Sequence, residues 1–532
     1  MCGIMYVNDK NQENKQLLQE SFNKIKHRGP DASQLIFRNP GEALGFHRLQ
    51  INGHTPQANQ PMTIDGGDTY LLCNGEIYNH VALQKKYNIT CTSGSDCEVI
   101  LYLYKKIGFA QMVQELDGEF AIILVTPDIV YIARDPYGVR ALYMATGAHS
   151  IGLASENKAL YELFHPLNIM QFLPGHICEW SIKDGAYNMY SYYKFYRQFM
   201  DVNLLNEPAA CVARVRDLLI KSVQKRLMCA RLGSADNKKM PAIGAYLSGG
   251  FDSSAIAAIL QKELAGQGQL ETFSIGFEGS PDLYYAKKVA LHIGSKHHEY
   301  IISEEQALQA IPEVVRMIET YDITTVRAST MMYLLSEYIS KQSKVVVMLS
   351  GEGSDEASGS YRYFHNAPNA QEFHLETERL LKDLCYFDNL RADKSSAAWG
   401  LEIRVPFLDL DFLKYYMTIP PEMKTQNGIE KYLLRTAVSD YLPHDVLYRP
   451  KEAMSDGVSV HNRSWSKIIQ YYASKIYNMA NGLEAEKFHY LSIFKYHYNN
   501  CLYQMPYYWL PKWCGNVADP SARVLPIYNA SV

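Results

Sequence analysis

Leu247-Ser248-Gly249-Gly250-Phe251-Asp252-Ser253-Ser254 joins an apolar run ending in Ala245-Tyr246-Leu247 to a second apolar pattern, Ser254-Ala255-Ile256-Ala257-Ala258-Ile259-Leu260. The first has the character of a buried strand and the second the spacing of a helix, with two glycines between them. A strand, a small-residue loop and a helix in that order aim backbone N–H groups and a helix N-terminus at a phosphate. The glycines let the backbone approach an anion closely, and Ser248, Ser253 and Ser254 add hydroxyl donors. Asp252 suits a phosphate cradle only if Mg²⁺ stands between its carboxylate and the phosphate. The plainer alternative is an ordinary strand-to-helix turn.

Outward from that loop, strand and helix patterns alternate. Strands are expected at 243–247, 272–277, 299–302 and 344–349, and helices at 254–264, 284–293, 304–319 and 329–340. Such alternation argues for an α/β layer with a parallel sheet, whose ligands bind beyond the carboxyl ends of the strands. A second loop, Ser350-Gly351-Glu352-Gly353-Ser354-Asp355-Glu356, lies at another such end. It is not a dinucleotide fingerprint, because Glu356 stands where the third glycine belongs and three acids would repel a pyrophosphate. No Gly-Lys-Ser/Thr occurs, which excludes a P-loop kinase or GTPase. Two acid-bearing loops, one with Asp252 and one with Asp355, instead suit Mg²⁺ bound jointly with pyrophosphate oxygens. The competing reading of either acid is a helix N-cap.

At 532 residues the chain exceeds the roughly 250–300 at which one core stops growing, so two or more domains are expected. Its 47% hydrophobic and 20% charged residues suit a soluble globular protein. A net charge of −4 without a long Lys/Arg run speaks against nucleic acid and anionic membrane as partners. No apolar stretch approaches the roughly 18 residues of a membrane span, and the turn to Asn8-Asp9-Lys10 leaves no room for a signal-peptide core. Ten cysteines are scattered irregularly, and Cys91 and Cys97, the closest local pair, lack a partner at zinc spacing. A reducing, cytoplasmic compartment is expected.

Residues 1–195 read differently. Apolar or alternating segments at 4–7, 43–51, 69–73, 120–125, 130–133 and 141–144 predict strands, and 17–25 and 97–107 predict helices. Many strands with few helices suggest an α+β arrangement of sheet on sheet. Cys2 would carry a free α-amine once the initiator Met is removed. Such an amine titrates near ~8 and can act as general base to its own thiol. Asn74-Gly75-Glu76 directly follows a strand, where the Asn amide and a Gly N–H could converge on one oxyanion. Arg48 offers a fork for an α-carboxylate, while Glu76 and Asp96 could hold an α-ammonium. Residues 196–208 are assigned as a linker, an amphipathic helix follows at 209–227, and 230–241 reads as an exposed loop.

Met1-Cys2-Gly3-Ile4, His27-Arg28-Gly29-Pro30-Asp31, Asn74-Gly75-Glu76-Ile77-Tyr78-Asn79 and Arg134-Asp135-Pro136-Tyr137-Gly138-Val139-Arg140 together resemble the class II glutamine amidotransferase domain. Ala141 departs from the proline usual there. The second half resembles the ATP pyrophosphatase domain through Ser248-Gly249-Gly250-Phe251-Asp252-Ser253, Phe273-Ser274-Ile275-Gly276, Leu401-Glu402-Ile403-Arg404-Val405-Pro406-Phe407-Leu408-Asp409 and Arg449-Pro450-Lys451-Glu452. Joined, the halves are similar to the glutamine-hydrolysing asparagine synthetases over nearly the whole chain.

The resemblance implies an N-terminal-nucleophile sandwich at 1–195 and an α/β synthetase domain at 209–532. It also implies ATP-dependent amidation of L-aspartate through a β-aspartyl-AMP intermediate, with ammonia taken from L-glutamine at Cys2. Asn74 and Gly75 would form the oxyanion hole, and Arg48, Leu49, Gln50, Ile51, Asn52, Asn74, Gly75, Glu76 and Asp96 would bind glutamine. ATP would lie against Leu247, Ser248, Gly249, Gly250, Asp252, Ser253, Ile275, Ser350 and Gly351. Thr324, Thr325, Arg327 and Lys451 would meet pyrophosphate or the adenylate, Asp252 and Asp355 would hold Mg²⁺, and Glu352 would be the acid tied to the acyl-adenylate. The family also implies a homodimer. Ala357, Ser358 and Ser360 replace the apolar residue, Phe and Gly usual after the second acidic loop, and Trp399 is a further departure. The alternatives are a relative adenylating another carboxylate and a weakly catalytic glutamine- or nucleotide-binding relative.

Overall fold

Strand Gly118–Val125 shows how the N-terminal unit is layered. Its Ala121, Ile123 and Val125 join one apolar cluster and its Phe120, Ile122 and Leu124 another. Both faces of the strand are covered, which is why it reads as a continuous apolar run rather than an alternating one. The structure is a computed structural model describing residues 1–12, 14–165, 169–193, 200–228, 242–499 and 501–524.

The chain divides into two compact units. The first comprises Met1–Lys194, Ala397–Glu402 and Lys495–Gln504, and the second Phe195–Ser396, Ile403–Phe494 and Met505–Val532. Residues 200–208 of the expected linker fall in the second unit, where Val202–Asn206 forms a 3₁₀ turn and Pro208 opens the helix Pro208–Lys225. The loop expected at 230–241 lies outside the described residues.

In the first unit, one antiparallel sheet runs Ile169–Gln171, Tyr143–Thr146, Ile151–Ala154, Gly3–Asn8, Glu42–Arg48, Ala32–Phe37. A second runs Tyr187–Ser191, His176–Ser181, Ile129–Arg134, Gly118–Val125, Thr69–Ile77, Met62–Ile64. Ile4, Tyr6, Leu44 and Phe46 of the first sheet meet Leu72, Ile123, Ile132 and Trp180 of the second in one core. Helices Glu98–Ile107 and Phe109–Glu115 cover the outer face of the second sheet through Val99, Ile100, Leu103 and Met112. Helix Lys15–Asn23 closes the other side, its Phe22 stacked on His47 at 3.7 Å between ring centroids. This is the expected αββα sandwich. Strand Ala32–Phe37 escaped the pattern because it is an edge strand, half-exposed along its length.

The second unit carries a five-stranded sheet in the order Lys296–Ile301, Glu271–Gly276, Ala242–Tyr246, Val345–Leu349, Glu402–Arg404. The first four pair in parallel. From Ala242–Tyr246 the chain progresses to one side through the next two strands, and Val345–Leu349 is added on the other side. That reversal is the switch point at which α/β sheets bind ligands, and both acidic loops leave from its two strands. Helix Phe251–Glu263 starts three residues earlier than expected, and the helix expected at 329–340 extends over Ile323–Gln342, capped by the Asp322 carboxylate.

Candidate active sites

Cys2 precedes the first residue of the central strand Gly3–Asn8 and is fixed by its backbone. Its N–H donates to Asn74 Oδ1 at 2.8 Å and its carbonyl accepts from Arg28 Nε at 3.0 Å. Burial pushes the thiol up to about 11, against the pull of the Met1 ammonium, which lies 3.3 Å from the Glu402 carboxylate. With Met1 attached, Cys2 N is a peptide amide; its removal would leave an α-amine at the same place, beside its own thiol and held by Asn74. Arg28 also pairs with buried Glu156 at 2.8 Å. The motif containing Arg28 was visible in the sequence, but nothing there disclosed that it grips the nucleophile's carbonyl.

Asn74 lies within strand Thr69–Ile77, and its Nδ2 is buried without a hydrogen-bond partner. An orphaned amide donor is costly unless something completes it, and an oxyanion would do so. A side chain on Gly75 would meet Glu119 O at 2.2 Å, so only glycine allows the strand to run here.

Asn52 Nδ2 donates to Glu76 Oε2 at 2.6 Å and to Asp96 Oδ1 at 3.0 Å, while Asp96 Oδ2 accepts from Ile77 N at 2.7 Å. The two acids expected to receive glutamine's ammonium are thus brought together by Asn52, another residue expected at glutamine, and Asn52 Oδ1 is a second buried atom without a partner. Burial raises Asp96 above the usual carboxylate range. Arg48 has several partners within the protein. Its guanidinium donates to Thr55 O at 3.2 Å, Asn59 Oδ1 at 2.6 Å, Asn52 O at 3.1 Å and Gly53 O, so its fork organises the 52–59 loop. Leu49 O lies 3.8 Å from Cys2 Sγ, Gln50 N donates to Asp31 at 2.7 Å, and Ile51 is buried.

In the second unit, a pocket opens at the switch point. Among the expected ATP residues, all but Gly249 line it. Gly249 instead supplies the bend, at φ +71°, where a Cβ would lie 2.3 Å from Ala286 N. Gly351 lets the second loop pack on the first, since a Cβ there would meet Asp252 Cβ at 2.8 Å. Neither acid caps its helix: Gly250 and Gly353 hold the cap positions without side-chain bonds.

Lys431 Nζ donates to Asp252 Oδ1 and Oδ2 at 2.7 and 2.6 Å and to Asp355 Oδ1 at 2.6 Å. Lys451 Nζ adds a contact to Asp355 Oδ2 at 2.5 Å and lies 3.9 Å from Asp252. Burial would raise Asp355, but the two lysines outweigh it and hold the carboxyl well below the usual range. An ammonium shared by both carboxylates shows that the pair can hold a cation between them. Two carboxylates plus phosphate oxygens is also the donor set Mg²⁺ takes, so these residues fit the ion. Lys431 was missed because no local pattern announces it.

Glu352 lines the pocket and accepts from Arg391 Nη2 at 2.7 Å; Arg391 also holds Asp388 at 2.5 Å. Burial pushes Glu352 up to about 6, and burial with the neighbouring Asp388 pushes Glu356 up to about 8. Thr324 Oγ1 is buried and unpartnered at the pocket wall, whereas Thr325 Oγ1 donates to the capping Asp322 at 2.8 Å.

Arg327 requires a correction. It is not among the residues lining the pocket, and its guanidinium is spent on Glu486 at 2.6 and 2.8 Å and on Asp519 at 2.9 and 3.2 Å. A buried, doubly paired guanidinium cannot turn to a pyrophosphate without stranding two carboxylates. The departures after the second acidic loop are also accounted for: Ser358 Oγ meets Tyr416 Oη at 3.2 Å, Ser360 Oγ donates to Asp355, and Ala357 O accepts from Lys424. The nine cysteines among the described residues are free thiols.

Comparison with known proteins agrees with this two-site geometry. The family model for the glutamine amidotransferase domain matches residues 1–191, and that for asparagine synthase matches 214–379 and 366–504. Glutamine-hydrolysing asparagine synthetases of Gallus gallus and Cricetulus griseus are 42% identical, and that of Homo sapiens 41%; each comparison spans 96% of this chain and 96% of the relative. The chain belongs to the glutamine-hydrolysing asparagine synthetase family.

Proposed function

We propose that the chain makes L-asparagine from L-aspartate, ATP and ammonia drawn from L-glutamine, with glutamate, AMP and pyrophosphate as the other products. What carries the reading is the presence on one chain of a cysteine beside an orphaned amide and of a two-carboxylate, two-lysine cluster at a sheet switch point. Cys2 Sγ attacks the glutamine side-chain carbonyl, its proton passing to the α-amine exposed by removal of Met1. Asn74 Nδ2 takes the developing oxyanion, ammonia leaves, and water releases glutamate from the thioester. Glu76, Asp96 and Asn52 hold the substrate's ammonium.

In the second pocket the aspartate β-carboxylate attacks the α-phosphorus of ATP and pyrophosphate departs. This step makes the poor electrophile reactive, since AMP leaves where hydroxide would not. Asp252 and Asp355 would hold Mg²⁺, which supplies positive charge to the departing pyrophosphate. Lys451 and Lys431 add cations at the same place, and the loop amides of 248–253 cradle phosphate. Glu352, poised near neutrality and tied to Arg391, accepts a proton as ammonia attacks the acyl-adenylate. We further propose a cytoplasmic homodimer, on the family resemblance and the scattered free thiols; among the described residues no helix is long and apolar enough to cross a membrane.

The test is pyrophosphate release across a panel of amino-acid carboxylates with ATP and Mg²⁺, run with glutamine and with ammonia. Aspartate is expected to be the substrate. Cys2→Ala is expected to abolish the glutamine-supported reaction and spare the ammonia-supported one. Preference for another carboxylate, or ATP binding without turnover, would overturn the reading.

A further inference from the structure

The segment 519–523 borders the synthetase pocket through Pro520 and Ala522. Three of its side chains tie it down. Asp519 receives Arg327 and Gln470 Nε2, the latter at 2.7 Å; Ser521 Oγ donates to Asp456 at 2.8 Å; and Arg523 Nη2 donates to Glu452 at 3.1 Å. Glu452 is the neighbour of Lys451 and itself lines the pocket. At the other end of the chain of contacts, Arg327 lies one turn into helix Ile323–Gln342, whose Thr324 and Thr325 line the same pocket. Its backbone carbonyl accepts from Trp465 Nε1 at 3.2 Å, and Glu486, its second partner, lies on helix Gly482–Tyr498. Arg327 is therefore the point where the helix bearing the two threonines, the helix bearing Glu486 and the C-terminal segment are joined by one fixed fork. A guanidinium is suited to that task because its planar donors serve two carboxylates at once.

We propose that Arg327 is a positioning residue that never touches the phosphates: through Asp519 it seats residues 519–523 as a wall of the nucleotide pocket, and that wall sets the affinity for ATP. This rests on the reading that the pocket binds ATP. Loosening Asp519 frees Pro520 and Ala522 from the pocket while Asp252, Asp355 and Lys451 stay in place. Binding should then weaken while the chemical step at saturating ATP is preserved.

The experiment compares full-length wild type, Asp519→Ala, Asp519→Glu and Arg327→Gln for aspartate-dependent pyrophosphate release with ammonia. For Asp519→Ala the expected result is a five- to twentyfold rise in KM for ATP, with kcat within threefold and KM for aspartate within twofold of wild type. Asp519→Glu, which keeps a carboxylate for the fork, should recover most of the loss. Arg327→Gln combined with Asp519→Ala should be no worse in KM for ATP than Arg327→Gln alone, because the two act through one contact. A cooperative thermal transition of the second unit, followed calorimetrically, reports in each case that the substituted unit is folded. Should Arg327→Gln fail to fold, Asp519→Ala decides alone. An unchanged KM for ATP in Asp519→Ala, or a fall in kcat with Arg327→Gln at unchanged KM, overturns the proposal. If wild type releases no pyrophosphate, the reading of the reaction fails separately, and the Kd for ATP in the same variants still decides the role of the wall.

Discussion

Ser360 Oγ lies 2.5 Å from Asp355 Oδ1 and donates to it, at a position where the family usually has glycine. Ser360 is buried, so this is a charge-assisted bond sheltered from water. It aims the carboxylate that the two lysines also hold. A hydrogen bond to a charged group contributes roughly 1.5–3 kcal/mol, but Lys431 and Lys451 retain Asp355 without it. Ser360→Ala is therefore expected to slow pyrophosphate release by three- to tenfold and to leave glutamine hydrolysis unchanged. Wild-type rates in both assays would show that the clamp is idle.

Asn74 plays two parts through two atoms. Its Oδ1 accepts from Cys2 N, and its Nδ2 has no partner. Asn74→Asp keeps the acceptor and replaces the donor with an oxygen that repels an oxyanion. Glutamine hydrolysis should fall by about 10²–10³ in kcat, the usual cost of one oxyanion donor, while ammonia-supported asparagine formation stays within twofold. A loss below tenfold would remove Asn74 Nδ2 from the oxyanion hole.

Much of this architecture could be read from residues alone, and the reasons are local. The glycines at 249 and 351 are visible as loop residues because their roles, a left-handed bend and a close approach, are properties of the backbone at that spot. Strand Gly118–Val125, covered on both faces, announced itself as an apolar run, whereas the exposed edge strand Ala32–Phe37 and the four-residue buried strand Ile151–Ala154 did not. What escaped was non-local. Arg327 stands in a segment that invites a phosphate reading, yet its partners lie 159 and 192 residues further along the chain. Lys431 likewise meets its carboxylates across 179 and 76 residues. Arg48 was legible as a fork, but its bonds to Thr55 O, Asn52 O and Asn59 Oδ1 were not, because the carbonyls of a folded loop are invisible in a string of letters.

Glu352 supplies a pH signature. Burial raises it to about 6, with Arg391 opposing and Asp388 assisting. A carboxyl raised in this way is protonated, and unable to act as a base, below that value. Formation of asparagine from glutamine, aspartate and ATP should fall as pH drops through about 6, at a point where Glu352→Gln shows no corresponding limb and a kcat reduced by at least 10². Aspartate-dependent exchange of pyrophosphate into ATP, which needs no ammonia, separates adenylation from the later step. An acid limb preserved in Glu352→Gln would assign the titration to another group.

Lys424 is a buried amine without a carboxylate partner among the described residues. Its Nζ donates to Ala357 O at 3.1 Å and lies 4.8 Å from the centre of the Tyr416 ring, directly behind the second acidic loop. Burial lowers it to about 7, with Cys211 opposing, and the nearby His374 is lowered by burial to about 4 and so is neutral above that value. Between pH 7 and the ordinary lysine value the unfolded chain binds a proton that the folded chain has released. Folding stability from this group therefore rises with pH across that window, by about 1.4 kcal/mol per unit at most. Lys424→Met fills the same space without a charge. It should stabilise the second unit at pH 7 and flatten the rise in Tm between pH 7 and 9, measured calorimetrically against wild type. If the two proteins show parallel Tm profiles over that range, Lys424 is charged in the folded chain and burial does not lower it.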